Sequence, residues 1–154
     1  MPRRTLFALT SMAGNDALVA VFDAKYHYNF WRPVTAIRDG GGNSDLIADP
    51  NWTPLGVTPN HPEYPAAHAC ATSTASRLVR DYFGTHKVRI VVDSLAFSDG
   101  VHTHTFDDTT DWFDEVFWAR IYAGFHYQHS LEDGGDIGRQ VSKQLFRKNF
   151  RPQN

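Results

Sequence analysis

Apolar residues return at helical intervals from Leu6 to Phe30: Leu6, Leu9, Ala13, Ala17, Ala20, Val21 and Ala24 share one side of an α-helix. A run with this period does not lie down as a strand, so the chain must be built on helices that bury a stripe. Three later segments read the same way. Ala66 to Phe83 is a helix that Gly84 ends. Asp108 to Tyr127 is another, with Thr109 or Thr110 as cap and acids in its first turns. Ser130 to Phe150 is the last, capped by Ser130, with Glu132 and Asp133 suited to its N-terminus. Asn15 and Asp16 offer a fresh cap inside the first run, and Pro33 opens a short extra turn, "PVTAIR". Asp39 to Pro62 is loop, rich in Gly, Asn, Asp and Pro and long enough to suggest function. "VRIVVDS" and "VHTHTFD" alternate and pair as a hairpin, its turn near Ser98-Asp99-Gly100. The fold class expected is mainly α, a helical bundle with a small β-hairpin insertion, in one domain over 1–154.

With 154 residues, 42% hydrophobic and 14% aromatic, the chain can bury a real core. A net charge of −2 argues against nucleic acid as a partner, which calls for a surplus of Lys and Arg. The single cysteine, Cys70, excludes an internal disulfide and reads as a buried structural thiol. No stretch reads as the ~18 consecutive apolar residues of a membrane span. The start, "MPRRTLFALTSMAGNDA", imitates a signal peptide, but it runs on with helical spacing into "LVAVFDAKYHYNFW". An amphipathic helix in a soluble protein, cytoplasmic or periplasmic, is the better reading.

Cations and histidines gather near the helix ends. Lys25 and Arg32 stand seven apart in "KYHYNFWRP", two helical turns, so both are expected on one face. His68, behind "PAA", falls in the first turn of a helix, where free N–H groups and the dipole favour an anion. Arg120 and His126 are six apart, about 600° of helix, and converge only if the helix unwinds near Gly124. Each has a plain reading: solvated charges, a capping histidine, a salt-bridge network within the protein. Yet Tyr26, Tyr28, Phe30 and Trp31 suggest buried surroundings for the first pair, and Arg120 lies in the apolar stretch "VFWARIYAGF". Buried cations need a partner.

Taken in order, Lys25/Arg32/Pro33, Pro65/His68 and Arg120/His126 form Lys-x6-Arg-Pro, Pro-x-x-His and Arg-x5-His. This ordered triple resembles the superfamily of vanadium-dependent haloperoxidases and type 2 phosphatidic-acid-phosphatase-like acid phosphatases. The contexts "KYHYNFWRPVTAIR", "HPEYPAAHA" and "ARIYAGFHY" look most like bacterial haloperoxidase-type members, over about Ala13 to Gln140. The resemblance implies the C-terminal catalytic part of a longer, mainly helical protein. It also implies an oxyanion, vanadate or phosphate, held by Lys25, Arg32, Arg120 and the backbone N–H of Ala67. His126 would be the axial group, the nitrogen ligand to vanadium or the nucleophile on phosphorus. His68 would be the acid–base group opposite. The cofactor is vanadate if the chain is a peroxidase, and there is none if it is a phosphatase.

This sequence departs from the family pattern. The second motif usually reads Pro-Ser-Gly-His, where Ala66 and Ala67 stand here. Ala66 removes a hydroxyl donor, and Ala67 adds a methyl where the backbone should come close. The third motif usually begins with Ser and carries Asp four residues past its histidine; here these are Ala119 and Ser130. His126 then lacks an evident partner to set its tautomer, and Glu132 or Asp133 is the expected stand-in.

Surroundings choose between the two chemistries. His61 lies seven before His68, a position that is often His in bromide-using haloperoxidases and Phe in chloride-using ones. Trp31 and Phe30 suit an apolar, halide-tolerant wall. The expectation is therefore a haloperoxidase-like enzyme that oxidises halide, bromide foremost, with hydrogen peroxide. The alternative is a soluble acid phosphatase with a phosphohistidine intermediate, acting on a phosphate ester. A third reading is a non-catalytic phosphate-binding fragment or assembly subunit. A zinc site from His102, His104, His126 and His129 is weaker, for want of a complete ligand set. So short a bundle leaves apolar helix faces open, so a homo-oligomer, or a missing N-terminal half, is expected. Light scattering should show more than one chain per particle; a monodisperse monomer would count against this.

Overall fold

The computed structural model describes residues 3–94 and 100–149. Four long helices, α1 (Arg3–Tyr28), α3 (Ala67–Phe83), α4 (Thr109–Tyr122) and α5 (Gln128–Asn149), form the body, with the short α2 (Pro33–Asp39) after the first. Two strands, β1 (Ile90–Ser94) and β2 (His102–Phe106), pair antiparallel from Ile90–Phe106 to Ser94–His102. This is the expected helical bundle with a small hairpin. The expected hairpin turn at Ser98-Asp99 and the helix end at Phe150 lie outside the described residues.

Helix α1 runs unbroken, so Asn15 and Asp16 start no new helix. Leu9, Ala13, Ala17 and Val21, each four residues after the last, are sealed from solvent and pack on α3 and α5. Lys25 is the next member of this row and is equally buried. After Tyr28 the chain reverses through Asn29, whose φ of 46° is left-handed, and Arg32 becomes the extended N-cap residue of α2. Lys25 and Arg32 are therefore brought together by a turn between helices, not by a shared helix face. Tyr26, Tyr28, Phe30 and Trp31 are exposed, against expectation; the cations are buried and the aromatics beside them are not.

Other boundaries moved for local reasons. Asp108, not a threonine, caps α4, with its Oδ1 accepting the Thr110 N–H at 2.8 Å. Helix α4 stops at Tyr122, because Gly124 takes a φ of +74°. Helix α5 begins before Ser130, which sits buried in its first turn and caps nothing. Cys70 is buried, its thiol set against the Ala17 carbonyl at 3.6 Å and pushed up to about 11 by that burial.

Helix α3 is central and packs most closely on α5. The closeness comes from Gly134 and Gly138, one turn apart. A Cβ on Gly134 would strike the Ala66 carbonyl, and one on Gly138 would strike the Cys70 carbonyl and Ser73 Oγ. Ser73 Oγ donates across the gap to the Gly135 carbonyl at 2.9 Å. The Arg4–Gly42 stretch contains an 18-residue window of mean hydropathy 1.4, apolar and long enough by composition to cross a membrane, which the sequence reading did not expect. Its buried row packs in the bundle, while Phe7 and Val19 on the same helix remain exposed.

Gly138→Ala gains about 1 kcal/mol in helix propensity, but the backbone carbonyl it meets cannot yield. A net loss of about 2 kcal/mol is expected from overpacking. Gly14, with open space around its Cβ position, is the control: Gly14→Ala should gain up to about 1 kcal/mol. Urea unfolding of both variants checks this; a Gly138→Ala chain as stable as the parent would refute the close contact.

Candidate oxyanion site

The N-terminus of α3, the α1–α2 turn, the loop over residues 61–65 and the α4–α5 junction meet at one end of the bundle. Lys25 Nζ donates to the carbonyls of Pro62 and Glu63, both at 2.9 Å. Arg32 Nη1 donates to the Phe125 carbonyl at 2.8 Å, and its Nε and Nη2 donate to the His61 carbonyl at 3.3 and 3.1 Å. Arg120 lies over the Phe125 ring, 4.5 Å from its centroid. Its Nε and Nη2 are sealed from solvent and have no hydrogen-bond partner.

These cations sense one another. Burial, then Arg32 and Arg120, pull Lys25 down to about 8 against the opposing pull of Glu63. Burial first, and then Arg32, lowers Arg120. Among the described residues none of the three forms an ion pair. Among the described residues Glu63 is the carboxylate whose charge acts on both Lys25 and Arg32. Two buried cations and the half-buried Arg120 against one acid leave an excess of positive charge, with two orphaned donors on Arg120. An anion satisfies both, so the residues present fit a tetrahedral oxyanion.

His126 is buried. Gly124 makes this possible: α4 unwinds there, with the Phe125 N–H on the Arg120 carbonyl at 3.1 Å, and a Cβ on Gly124 would fall 2.6 Å from the Trp52 ring. His126 Nε2 lies 3.3 Å from Arg32 Nη1 and its Nδ1 lies 2.7 Å from Glu63 Oε1. Burial outweighs the raising effect of Glu63 and holds His126 down at about 4.

His68 stands in the first turn of α3 and is exposed to solvent. The dense protein beneath it, followed by Arg120, His61, Lys25 and Arg32, pulls it down to about 4. Ala66 gives this helix no side-chain cap, so the first-turn N–H groups, Ala67 included, have no partner within the helix. The two alanines pack inward: Ala66 with Ala69 and Leu131, Ala67 with Ala17, Val21 and Cys70. The methyl of Ala67 is thus taken up in the core.

His61 is half-buried, 3.2 Å from Arg32 Nη2 through Nδ1 and edge-on to Phe22. Trp31 is 39% exposed, and among the described residues no ring contact ties it to the site. Phe30 meets Tyr127 and His129 instead, and the His129 ring stacks on both Tyr64 and Tyr127. His102 and His104 are exposed on the hairpin, and among the described residues no three metal-ligating side chains converge.

The expected stand-ins for the missing acid are elsewhere. Glu132 accepts from Gln128 at 2.8 Å, and Asp133 accepts from Tyr64 at 2.9 Å. The residue that meets His126 is Glu63, which the sequence reading passed over. Its only signal was an acid in "HPEYP", flanked by prolines just before the second motif.

The VCPO second helical-bundle domain matches residues 5–154. The vanadium chloroperoxidase of Curvularia inaequalis is 33% identical over 88 residues, which is 51% of this chain and 14% of that protein. The crystal structure of the first bacterial vanadium-dependent iodoperoxidase is similar with a TM-score of 0.80 and 27% identity, over 94% of this chain and 32% of that one. A holo-type bacterial vanadium-dependent chloroperoxidase shares the fold, with a TM-score of 0.73 at 22% identity over 90% of this chain and 34% of that one. The chain thus spans about a third of the length of these solved structures.

A buried histidine lowered from 6.5 to about 4 resists protonation when folded and accepts it when unfolded. The unfolded chain then binds more protons between these values, so stability is full above pH 6.5 and falls as pH drops toward 4. For His126 this is on the order of 3 kcal/mol. Urea midpoints taken across that window should decline with acid; a flat profile would refute it.

Proposed function

Because the chain belongs to the family of the VCPO second helical-bundle domain, we propose that it forms the vanadate pocket of a vanadium-dependent haloperoxidase-like enzyme. The observation that carries this is Arg120: two buried donors without a partner, beside two more buried cations, with one acid among them. Arg120 Nε and Nη2 and the first N–H groups of α3 would donate to the oxyanion, and Lys25 and Arg32 would neutralise it. His126 Nε2 would be the nitrogen ligand, and His68, at the open edge, would give or take the proton. When bound, vanadate supplies activation of hydrogen peroxide toward attack by a halide. Bromide is the halide proposed, on the strength of His61 against Arg32.

A non-catalytic reading keeps one observation in its favour. The chain spans a third of the solved peroxidases, so parts of a complete active site can lie beyond it. Calorimetric titration with orthovanadate, followed by dye bromination with peroxide and bromide, separates the two. Near one vanadate per chain is expected, with Arg120→Ala weakening it roughly 100-fold, as the loss of two charge-assisted hydrogen bonds implies. No binding by the parent chain would overturn the proposal. Binding without bromination would favour a pocket that works only with the remainder of a longer protein.

A further inference from the structure

Glu63 ties several parts of the site together. Its backbone N–H donates to the Phe30 carbonyl at 2.9 Å, and its carbonyl accepts from Lys25 Nζ at 2.9 Å and Ser130 Oγ at 3.4 Å. Its side chain is wholly buried. Oε1 accepts from the Tyr127 N–H at 3.1 Å and faces His126 Nδ1 at 2.7 Å. Oε1 already accepts the Tyr127 N–H and an ionised carboxylate has no hydrogen to give, so Nδ1 must carry the proton. On the other edge of the ring, Nε2 faces Arg32 Nη1, and a guanidinium can only donate. Two independent neighbours therefore demand one arrangement, proton on Nδ1 and lone pair on Nε2.

We infer that Glu63 is the positioning residue of His126, locking the ring so that Nε2 presents its lone pair to the oxyanion. It takes the part left vacant at Ser130. Ser130 itself ties into the same hub: its hydroxyl meets the Glu63 carbonyl, and its own carbonyl accepts the Ala66 N–H at 2.9 Å. The acid has moved from the helix after the histidine to the loop before α3. The functional consequence for vanadate rests on the proposed pocket; the locked ring does not.

The test is nitrogen-15 NMR of the His126 ring in the metal-free chain, in the parent, Glu63→Gln and Glu63→Met. In the parent and Glu63→Gln, a hydrogen-bonded proton on Nδ1 is expected, since the amide oxygen can serve both donors. In Glu63→Met, which keeps the volume and removes the acceptor, the Nδ1 proton should lose its hydrogen-bonded shift and its protection from exchange, with circular dichroism showing the helices intact. Orthovanadate affinity should fall 10- to 100-fold in Glu63→Met, as for other groups that orient a ligand histidine. A proton on Nε2 in the parent, ring signals unchanged in a folded Glu63→Met, or undiminished vanadate affinity there, would overturn the assignment. If Glu63→Met does not fold, the parent and Glu63→Gln spectra decide, and Nε2–H in either refutes it. If the parent binds no vanadate, the functional proposal fails while the ring signals still judge Glu63.

Discussion

Buried positive charge shapes this end of the molecule. Lys25 is taken out of water by the packing that seals the apolar row of α1, Arg32 is buried at the start of α2, and neither forms an ion pair among the described residues. Their donors are met by main-chain carbonyls of residues 61–63 and 125. That requirement dictates the course of the long loop, which must bring three consecutive carbonyls within reach of two cations. Arg120 has no such carbonyls for Nε and Nη2. Carbonyl dipoles solvate a charge without cancelling it, so a positive potential persists where Arg120 is left open. The course of the loop around Lys25 and Arg32 and the unpartnered donors of Arg120 are two results of one constraint.

The packing of α3 on α5 sets where that potential falls. Gly134 lets the backbone at Ala66 settle directly on α5, and the Ala66 N–H reaches the Ser130 carbonyl. This fixes the start of α3 against the first turn of α5, two residues from Gln128 and four from His126. Any side chain at Gly134 would lift the helix start away from the histidine. The site is therefore placed by helix–helix contact and only furnished by its loops.

Period and order were legible from sequence. The stripe of α1, the stop at Gly84, the need to unwind near Gly124 and the hairpin pairing all rest on local rules, and local rules act on neighbours in the chain. What escaped was set by distant partners. The aromatic residues near Lys25 suggested burial by composition, yet the buried member is the lysine, because it falls in register with Val21. Lys25 and Arg32 meet through a left-handed turn at Asn29 that seven-residue spacing could not reveal. Glu63 was passed over because its partner lies 63 residues away, across a loop whose path follows from cations bound elsewhere.

The alanines of the second motif show how a pocket can keep its floor while changing its side chains. Ala66 and Ala67 bury their methyls in two separate core clusters, so neither projects into the space the anion would occupy. What an anion meets there is the backbone of the first turn, whose N–H groups belong to every residue type alike. The cost of the substitution is one hydroxyl donor. Against three guanidinium or ammonium groups and the end of a helix dipole, a single neutral hydrogen bond is a small term, about 1 kcal/mol where charged ones are worth about 2–3. The larger loss was the acid after His126, since a histidine with a free ring can turn its lone pair away. With Glu63 on Nδ1 and Arg32 on Nε2, that freedom is gone. The charges that would hold an anion and the ring that would bind it are thus kept by residues outside the positions where this sequence differs.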